Sequence, residues 1–189
     1  MVRLAALLHD IGKPKTRSFG PDGVSFHLHD VIGARMAEER LRALRFPRDT
    51  IEAVSHLVAL HLRFHTYRMG WTDRAVRRYV RDADGLLDDL NHLVRCDCTT
   101  RNAAKAQALS RRMDELERRI EELRAQEELD AIRPPIDGNR VMELLGVPPG
   151  KVVGEALTML LDARLDEGPM SEEEAERRLL AWAADRGIR

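Results

Sequence analysis

The sequence predicts an all-α fold, arranged as a helical domain, a long helix and a small helical tail. Apolar residues recur at helical spacing along most of the chain, and no stretch of useful length alternates with the two-residue period of a strand. Glycine, proline and capping residues separate the helical stretches. Only 4% of the residues are aromatic, whereas 33% are charged and 43% hydrophobic, which is typical of a soluble, helix-rich protein with a real core.

Composition narrows the protein class. The net charge of −1 gives no strong overall field, so local charge must decide any partner. Arginine outnumbers lysine, which favours phosphate recognition or reflects a GC-rich genome. The two cysteines, Cys96 and Cys98, are too close for an ordinary disulfide in a helix, so we expect a reducing, cytoplasmic location. No apolar run approaches the roughly 20 residues that span a bilayer.

The most distinctive stretch is LLHDIGKP at residues 7–14. The apolar run 4–8 predicts a buried helix that ends by placing an imidazole beside a carboxylate, His9 and Asp10, before a glycine and a proline. Imidazole nitrogen and carboxylate oxygen are ligands that borderline divalent cations accept. A satisfied pair at a helix end explains an isolated His-Asp dipeptide, but further His and Asp residues downstream favour a metal site.

Helices are predicted in order beyond this stretch. Residues 13–26 are rich in turn formers and predict a loop, after which apolar stripes predict helices over 31–44 and 50–62. The second of these places His61 on its apolar face, where a histidine is usually a satisfied core residue. A helix over 86–102 surrounds Asp97 with apolar neighbours, and because burying an unpaired carboxylate is costly, we expect Asp97 to have a specific partner.

A basic face is predicted on the helix that Thr72 caps. Its arginines surround a short apolar stripe and have one nearby acid, Asp73, so the face could hold phosphates or could simply be solvated. The arginines are Arg74, Arg77, Arg78 and Arg81.

The second half of the chain is predicted to contain a long helix and a tail. A seam that includes Met113 steps by four and three residues through 103–129, which favours packing within one chain over a coiled-coil dimer. Pro134 and Pro135 mark the main boundary, and Ser171 with Glu174 forms a capping box for the last helix. The expected domains are therefore residues 1–102, 103–133 and 134–189.

The string LLHDIGKP, followed by further His and Asp residues, resembles the signature of the HD superfamily of metal-dependent phosphohydrolases. The resemblance implies a divalent metal, with Mn, Ni, Mg, Fe, Co and Zn all open. It implies His9, Asp10 and Lys13 as catalytic groups, with Lys13 meeting a substrate phosphate. The implied metal ligands are His9, Asp10, His29, His61 and Asp97.

One departure from the superfamily pattern concerns the metal shell. The superfamily's first histidine precedes the His-Asp pair, and no histidine precedes His9 here. We therefore expect an incomplete shell and a chain that is truncated or a fragment. The other histidines are expected to be surface or supporting groups, with His56 as the first reserve ligand; they are His27, His56, His65 and His92.

A second resemblance covers nearly the whole chain. Residues 4–14 and 26–62, WTDRAVRRY at 71–79, DCTTRN at 97–102, and DGN with GVPPG at 137–150 resemble the C-terminal half of bacterial tRNA nucleotidyltransferases of the CCA-adding, poly(A)-polymerase-like family, especially the actinobacterial type. This implies an all-helical body and tail that clamp tRNA beside a catalytic head. The implied RNA-binding residues are Arg74, Arg77, Arg78, Arg81, Arg101, Lys105 and Lys151.

The nucleotidyl-transfer head is not expected within these residues. Nucleotidyl transfer needs a Gly-Ser loop and two spaced carboxylates that hold magnesium ions. Asp82 and Asp84 have such a spacing, but they end a predicted helix and no Gly-Ser precedes them. The partners expected are therefore tRNA and an N-terminal head, together with a homodimer as a further option.

Three functions stay open at this stage. The leading one is the HD and tRNA-binding part of a tRNA nucleotidyltransferase. The second is a free-standing HD phosphohydrolase that acts on nucleotides or phosphate esters. The third is a non-catalytic helical interaction module, in which the seam around Met113 dimerises.

Overall fold

The computed structural model describes residues 1–21, 23–67, 71–97, 100, 102–127, 129 and 132–188. Within them the chain is helical apart from one two-stranded hairpin, which confirms the predicted all-α class. No helix of this part of the chain has the length and apolar character needed to cross a bilayer. The helices are α1 (Val2–Leu8), α2 (Lys13–Thr16), α3 (His29–Ala43), α4 (Arg48–Leu60), α5 (Asp73–Ala83), α6 (Leu87–Cys96), α7 (Ala103–Gln126), α8 (Gly138–Leu145), α9 (Lys151–Glu167) and α10 (Glu172–Asp185), with a 3₁₀ turn over Arg63–Thr66.

The described residues divide into two compact units. The first contains Met1–Trp71 and Asp82–Arg118, and the second contains Thr72–Arg81 and Arg119–Arg189. The division falls within helices α5 and α7. The domain limits expected at residues 102 and 133 stay a prediction.

The segment 13–26, predicted to be a loop, contains a short helix and a hairpin. Strand β1 (Arg17–Gly20) pairs antiparallel with β2 (Gly23–Phe26), and α2 precedes them. The prediction of a continuous loop is wrong because each strand has only four residues and no buried face, so neither shows an apolar alternation. Gly23, the first residue of β2, has a φ of +106°, a conformation that favours glycine. Asp22, one of the predicted turn formers, lies outside the described residues.

The turn between α1 and α2 packs closely against the start of α3. A Cβ atom on Gly12 would lie 2.3 Å from the carbonyl oxygen of His29 and 2.8 Å from the nitrogen of Gly33. Only glycine allows this approach of two backbones. It brings the His9-Asp10 turn beside the first turn of α3, where His29 lies.

Helix α4 supplies much of the apolar core of the first unit and ends at the site. Its buried residues Val54, Leu57 and Val58 lie on one face, and His61, its C-cap residue, continues that face and is 1% exposed. The predicted position of His61 on the apolar face is confirmed. Helix α6 ends earlier than predicted, so Asp97 follows the helix as its C-cap residue instead of lying inside it.

The second unit has its own core between α8, α9 and α10, centred on Val141, Leu160 and Leu179. The predicted cap of the last helix is present, because Ser171 accepts a hydrogen bond from the Glu174 amide at 3.2 Å. Asp137 caps α8 in the same way, since it accepts one from the Arg140 amide at 2.8 Å.

The apolar seam of α7 is buried by the chain itself. Of its five predicted members, Leu109 is half-buried and the other four are at most 4% exposed, which favours packing within one chain over a dimer seam. Those four are Met113, Leu116, Ile120 and Leu123.

Candidate metal centre

Three histidines adopt the same hydrogen-bonding arrangement. The Nδ1 atom of each lies within 2.8 Å of the carbonyl oxygen three residues earlier: His9 to Ala6, His29 to Phe26 and His61 to Val58. A carbonyl oxygen can only accept, so each Nδ1 carries the proton and donates it. In the neutral imidazole, this leaves Nε2 with an unprotonated lone pair.

The three Nε2 atoms are buried together. None has a hydrogen-bond partner among the described residues. The His61 ring lies between the other two, with centroid distances of 5.3 Å to His9 and 5.3 Å to His29. Because buried nitrogen acceptors are rarely left unsatisfied, this shared arrangement is suited to binding an electrophile.

Two carboxylates join the imidazoles. Asp10 places Oδ2 3.4 Å from Nε2 of His9 and Oδ1 3.5 Å from Nε2 of His29. Asp97 places Oδ1 3.0 Å from Nε2 of His9. One ligand atom each from Asp10, His29 and His61 lie within 4.8 Å of one another. The structure therefore brings together His9, Asp10, His29, His61 and Asp97, the set that the sequence predicted.

Protonation states at the cluster suit metal binding. Burial lowers the pKa of His61 below its ordinary value, which favours the neutral imidazole. Burial raises the pKa of Asp97, but the hydrogen bond with His65 and the charges of nearby histidines outweigh that effect, so the pKa is lower than usual. A neutral imidazole and an ionised carboxylate are the forms that bind a cation.

The donor set fits a divalent metal ion. It offers imidazole nitrogens and carboxylate oxygens, with the nitrogens orphaned and their tautomers fixed by carbonyl oxygens. That combination suits Mn, Fe, Co, Ni or Zn. Lys13, the other predicted catalytic residue, lies at the edge, where Nζ is 2.6 Å from Oδ2 of Asp10 and 5.7 Å from the Phe26 ring centroid.

Sequence reasoning missed the closeness of one histidine to this cluster. His65, expected to be a surface or supporting group, places Nε2 3.8 Å from Oδ2 of Asp97. His65 belongs to the 3₁₀ turn after α4, so its neighbour is set by tertiary packing, which no local pattern signals. The reserve ligand His56 instead contacts the carbonyl oxygen of Asp82 at 2.6 Å, and His27 and His92 are exposed.

Several of the basic candidates are paired with acids. Arg77 is nearly buried against Glu127, with Nε 2.9 Å from Oε1, while Arg74 and Arg78 both contact Asp166. Arg81 and Lys105 are exposed, and Lys151 lies 3.5 Å from Glu155. Arg101 lies outside the described residues. Phosphate binding by these side chains stays a prediction.

Two curated tRNA nucleotidyltransferases are similar to nearly the whole chain. The chain is 37% identical over 186 residues to the CC-adding tRNA nucleotidyltransferase of Thermus thermophilus, an alignment covering 97% of this chain and 40% of that protein. It is 35% identical over 190 residues to the A-adding tRNA nucleotidyltransferase of Deinococcus radiodurans, covering 98% and 42%. The chain thus spans about two fifths of the length of these relatives. No solved structure matches it.

Residues 1–120 match the HD domain family, and this range contains every member of the His/Asp cluster. Because the match covers more than half of the sequence, the chain belongs to the HD domain family.

Proposed function

We propose that the His/Asp cluster is the divalent-metal centre of a phosphohydrolase acting on phosphate esters or cyclic phosphates. The observation that carries the proposal is the set of buried, unpartnered Nε2 atoms of His9, His29 and His61, each fixed in the same tautomer. Histidines that served only as core residues would not all need an unprotonated nitrogen turned toward the same carboxylates.

The roles of the residues follow from their positions. His9, Asp10, His29, His61 and Asp97 would hold the cation. When bound, a divalent cation there supplies Lewis acidity toward water and phosphate oxygen. Next to the ligands, the ammonium group of Lys13 balances the charge of Asp10 and can bind a phosphate oxygen. His65 orients the carboxylate of Asp97 through a hydrogen bond.

The test is metal binding followed by hydrolysis. Chelator-treated protein is titrated with Mn²⁺, Ni²⁺ and Zn²⁺ by calorimetry. Ring opening of 2′,3′-cyclic nucleotides to nucleoside monophosphates, and release of phosphate from nucleoside monophosphates, are then measured. We expect stoichiometric binding that His61→Ala weakens at least about tenfold, while the exposed His92→Ala leaves it unchanged. Equal metal affinity in both variants, or no binding by the wild type, would refute the proposal.

We further propose that this chain is the tRNA-handling part of a tRNA nucleotidyltransferase whose nucleotidyl-transfer head lies elsewhere in the parent protein. The observation that favours this role is identity of 37% and 35% to two tRNA nucleotidyltransferases over nearly the whole chain. Nucleotidyl transfer itself is not assigned to these residues.

Fluorescence anisotropy with labelled tRNA tests that role. Affinity should fall with salt, and Arg81→Glu or Lys151→Glu should weaken it and reduce the salt slope by about one for each phosphate that the variant no longer neutralises. A charge reversal at Arg48, exposed on α4 and paired with Glu52, is the control. Binding without salt dependence, or equal affinity in all variants, would count against tRNA binding through these residues.

A further inference from the structure

A cleft of about 470 Å³ lies beside the metal cluster in the first unit. Two of its lining residues, Asp97 and His65, also belong to or contact the cluster. The volume is within the range of roughly 300–1,000 Å³ that small-molecule sites occupy. Its principal lining residues are His65, Asp97, Thr100, Lys105, Leu109 and Arg112.

Two basic side chains of α7 line the cleft without a carboxylate partner. Lys105 and Arg112 are two helical turns apart, so they lie on the same face of α7. Neither forms an ion pair within the described part of the chain, whereas the neighbouring Arg95 pairs with both Asp114 and Glu117. The cleft therefore presents two cationic side chains that form no ion pair, beside the carboxylate of Asp97.

Arg112 is held in place by groups other than acids. Its Nη1 atom donates a hydrogen bond to the carbonyl oxygen of Tyr67 at 3.3 Å. Its guanidinium lies 5.6 Å from the ring centroid of Phe64, a side chain that is completely buried. A guanidinium fixed in this way loses little conformational freedom when it meets an anion.

We propose that this cleft binds the phosphate group of a nucleotide, with Lys105 and Arg112 as its ligands and Leu109 packing against the nucleoside. The inference rests on the proposed phosphohydrolase function, because it assigns the substrate subsite of that metal centre. The nucleotide could be free or could be the end of an RNA chain, since both present the same phosphate and nucleoside groups.

Binding is measured by calorimetry with inorganic phosphate, adenosine 3′-monophosphate and adenosine, in chelator and again with Mn²⁺. We expect the monophosphate to bind and adenosine to bind at least about tenfold more weakly. Lys105→Ala and Arg112→Ala should each weaken monophosphate binding about tenfold or more, and Arg112→Lys should restore part of it. Lys15→Ala, which removes an exposed lysine of α2 in the same unit, is the matched control.

The outcomes separate this inference from the function on which it rests. Metal binding with monophosphate affinity that is absent, or equal in the Lys105, Arg112 and Lys15 variants, would overturn the subsite and leave the metal centre standing. Monophosphate binding that depends on Lys105 and Arg112 but occurs without any metal affinity would support the subsite and refute the phosphohydrolase. A 3′-phosphorylated RNA oligonucleotide that binds more tightly than the mononucleotide would identify RNA ends as the source, and equal affinities would identify free nucleotides.

Discussion

Asp97, at the end of α6, places Oδ1 3.0 Å from Nε2 of His9, at the end of α1. Since Nδ1 of His9 donates to the carbonyl oxygen of Ala6, both atoms of the 3.0 Å contact are acceptors in the neutral state. A cation shared between them would stabilise the contact. We therefore predict that Asp97→Asn, which keeps the shape but removes the charge, lowers Mn²⁺ affinity at least about tenfold.

The control for Asp97 is another acid of α6. Asp88 is exposed in the first turn of that helix, and Asp88→Asn should leave the calorimetric Mn²⁺ affinity unchanged. If the Asp97 variant binds Mn²⁺ as tightly as the Asp88 variant, Asp97 is not a ligand.

Because of His61, we predict that the free energy of unfolding of the metal-free protein depends on pH. Burial lowers its pKa in the folded state below the ordinary value of 6.5, so between the two values the unfolded chain binds more protons than the folded chain. The stability that this histidine contributes is fully present above pH 6.5 and is lost as the pH falls through the folded-state pKa. Urea unfolding in chelator should show a decreasing free energy of unfolding from pH 7.5 to pH 5.

Replacing His61 tests the source of that slope. His61→Asn removes the titrating imidazole, while its amide can still donate to the carbonyl oxygen of Val58. The variant should show a shallower decrease over the same pH range. An unchanged slope would assign the pH dependence to other groups.

Local sequence pattern predicts the residues of the His/Asp cluster more fully than it predicts the loops around them. His9, Asp10 and His61 lie at helix ends that apolar periodicity and breakers mark, and Asp97 is indicated because a carboxylate among apolar residues needs a partner. The hairpin of β1 and β2 is not predicted because its strands are four residues long and have no buried face, so they show no apolar alternation.

Local sequence pattern cannot predict which charged residues pair when they are far apart along the chain. The sequence groups Arg77 and its neighbours into one basic face because no acid lies between Arg74 and Arg81 along the chain. The acids that meet them, Glu127 and Asp166, lie much further along. Long-range pairing likewise brings His65 to Asp97, whereas Lys105 and Arg112 stay without such a partner in the described residues.

We predict that the close backbone packing at Gly12 is needed for both stability and metal affinity. A Cβ atom there would collide with backbone atoms of His29 and Gly33, which cannot move as a side-chain end can. Gly12→Ala should therefore lower the free energy of unfolding by about 1–3 kcal/mol and weaken Mn²⁺ binding, because it shifts the start of α3. Gly20→Ala is the matched control, since no heavy atom lies within 4 Å of a Cβ at that position. Similar stability and metal affinity in both variants would show that the close approach is not required.

We predict that removing one partner of the buried Arg77–Glu127 pair lowers stability strongly. The side chains are 8% and 3% exposed, and Arg77 Nη1 also lies 3.5 Å from the carbonyl oxygen of Leu165. Arg77→Met leaves a buried carboxylate without its cation, which should cost about 3–5 kcal/mol in urea unfolding, and adding Glu127→Leu should recover much of it. Arg78→Met, which removes a more exposed pair, should cost about 0–1 kcal/mol.

An equal cost for the Arg77 and Arg78 variants would contradict a structural role for the buried pair. If Arg77→Met lowers the free energy of unfolding more than Arg78→Met does, weaker tRNA binding by an Arg77 variant would reflect a destabilised second unit. It would not then show that Arg77 contacts a phosphate. For that reason the exposed Arg81 is the informative position for charge reversal, and unfolding curves of each variant must accompany the anisotropy measurements.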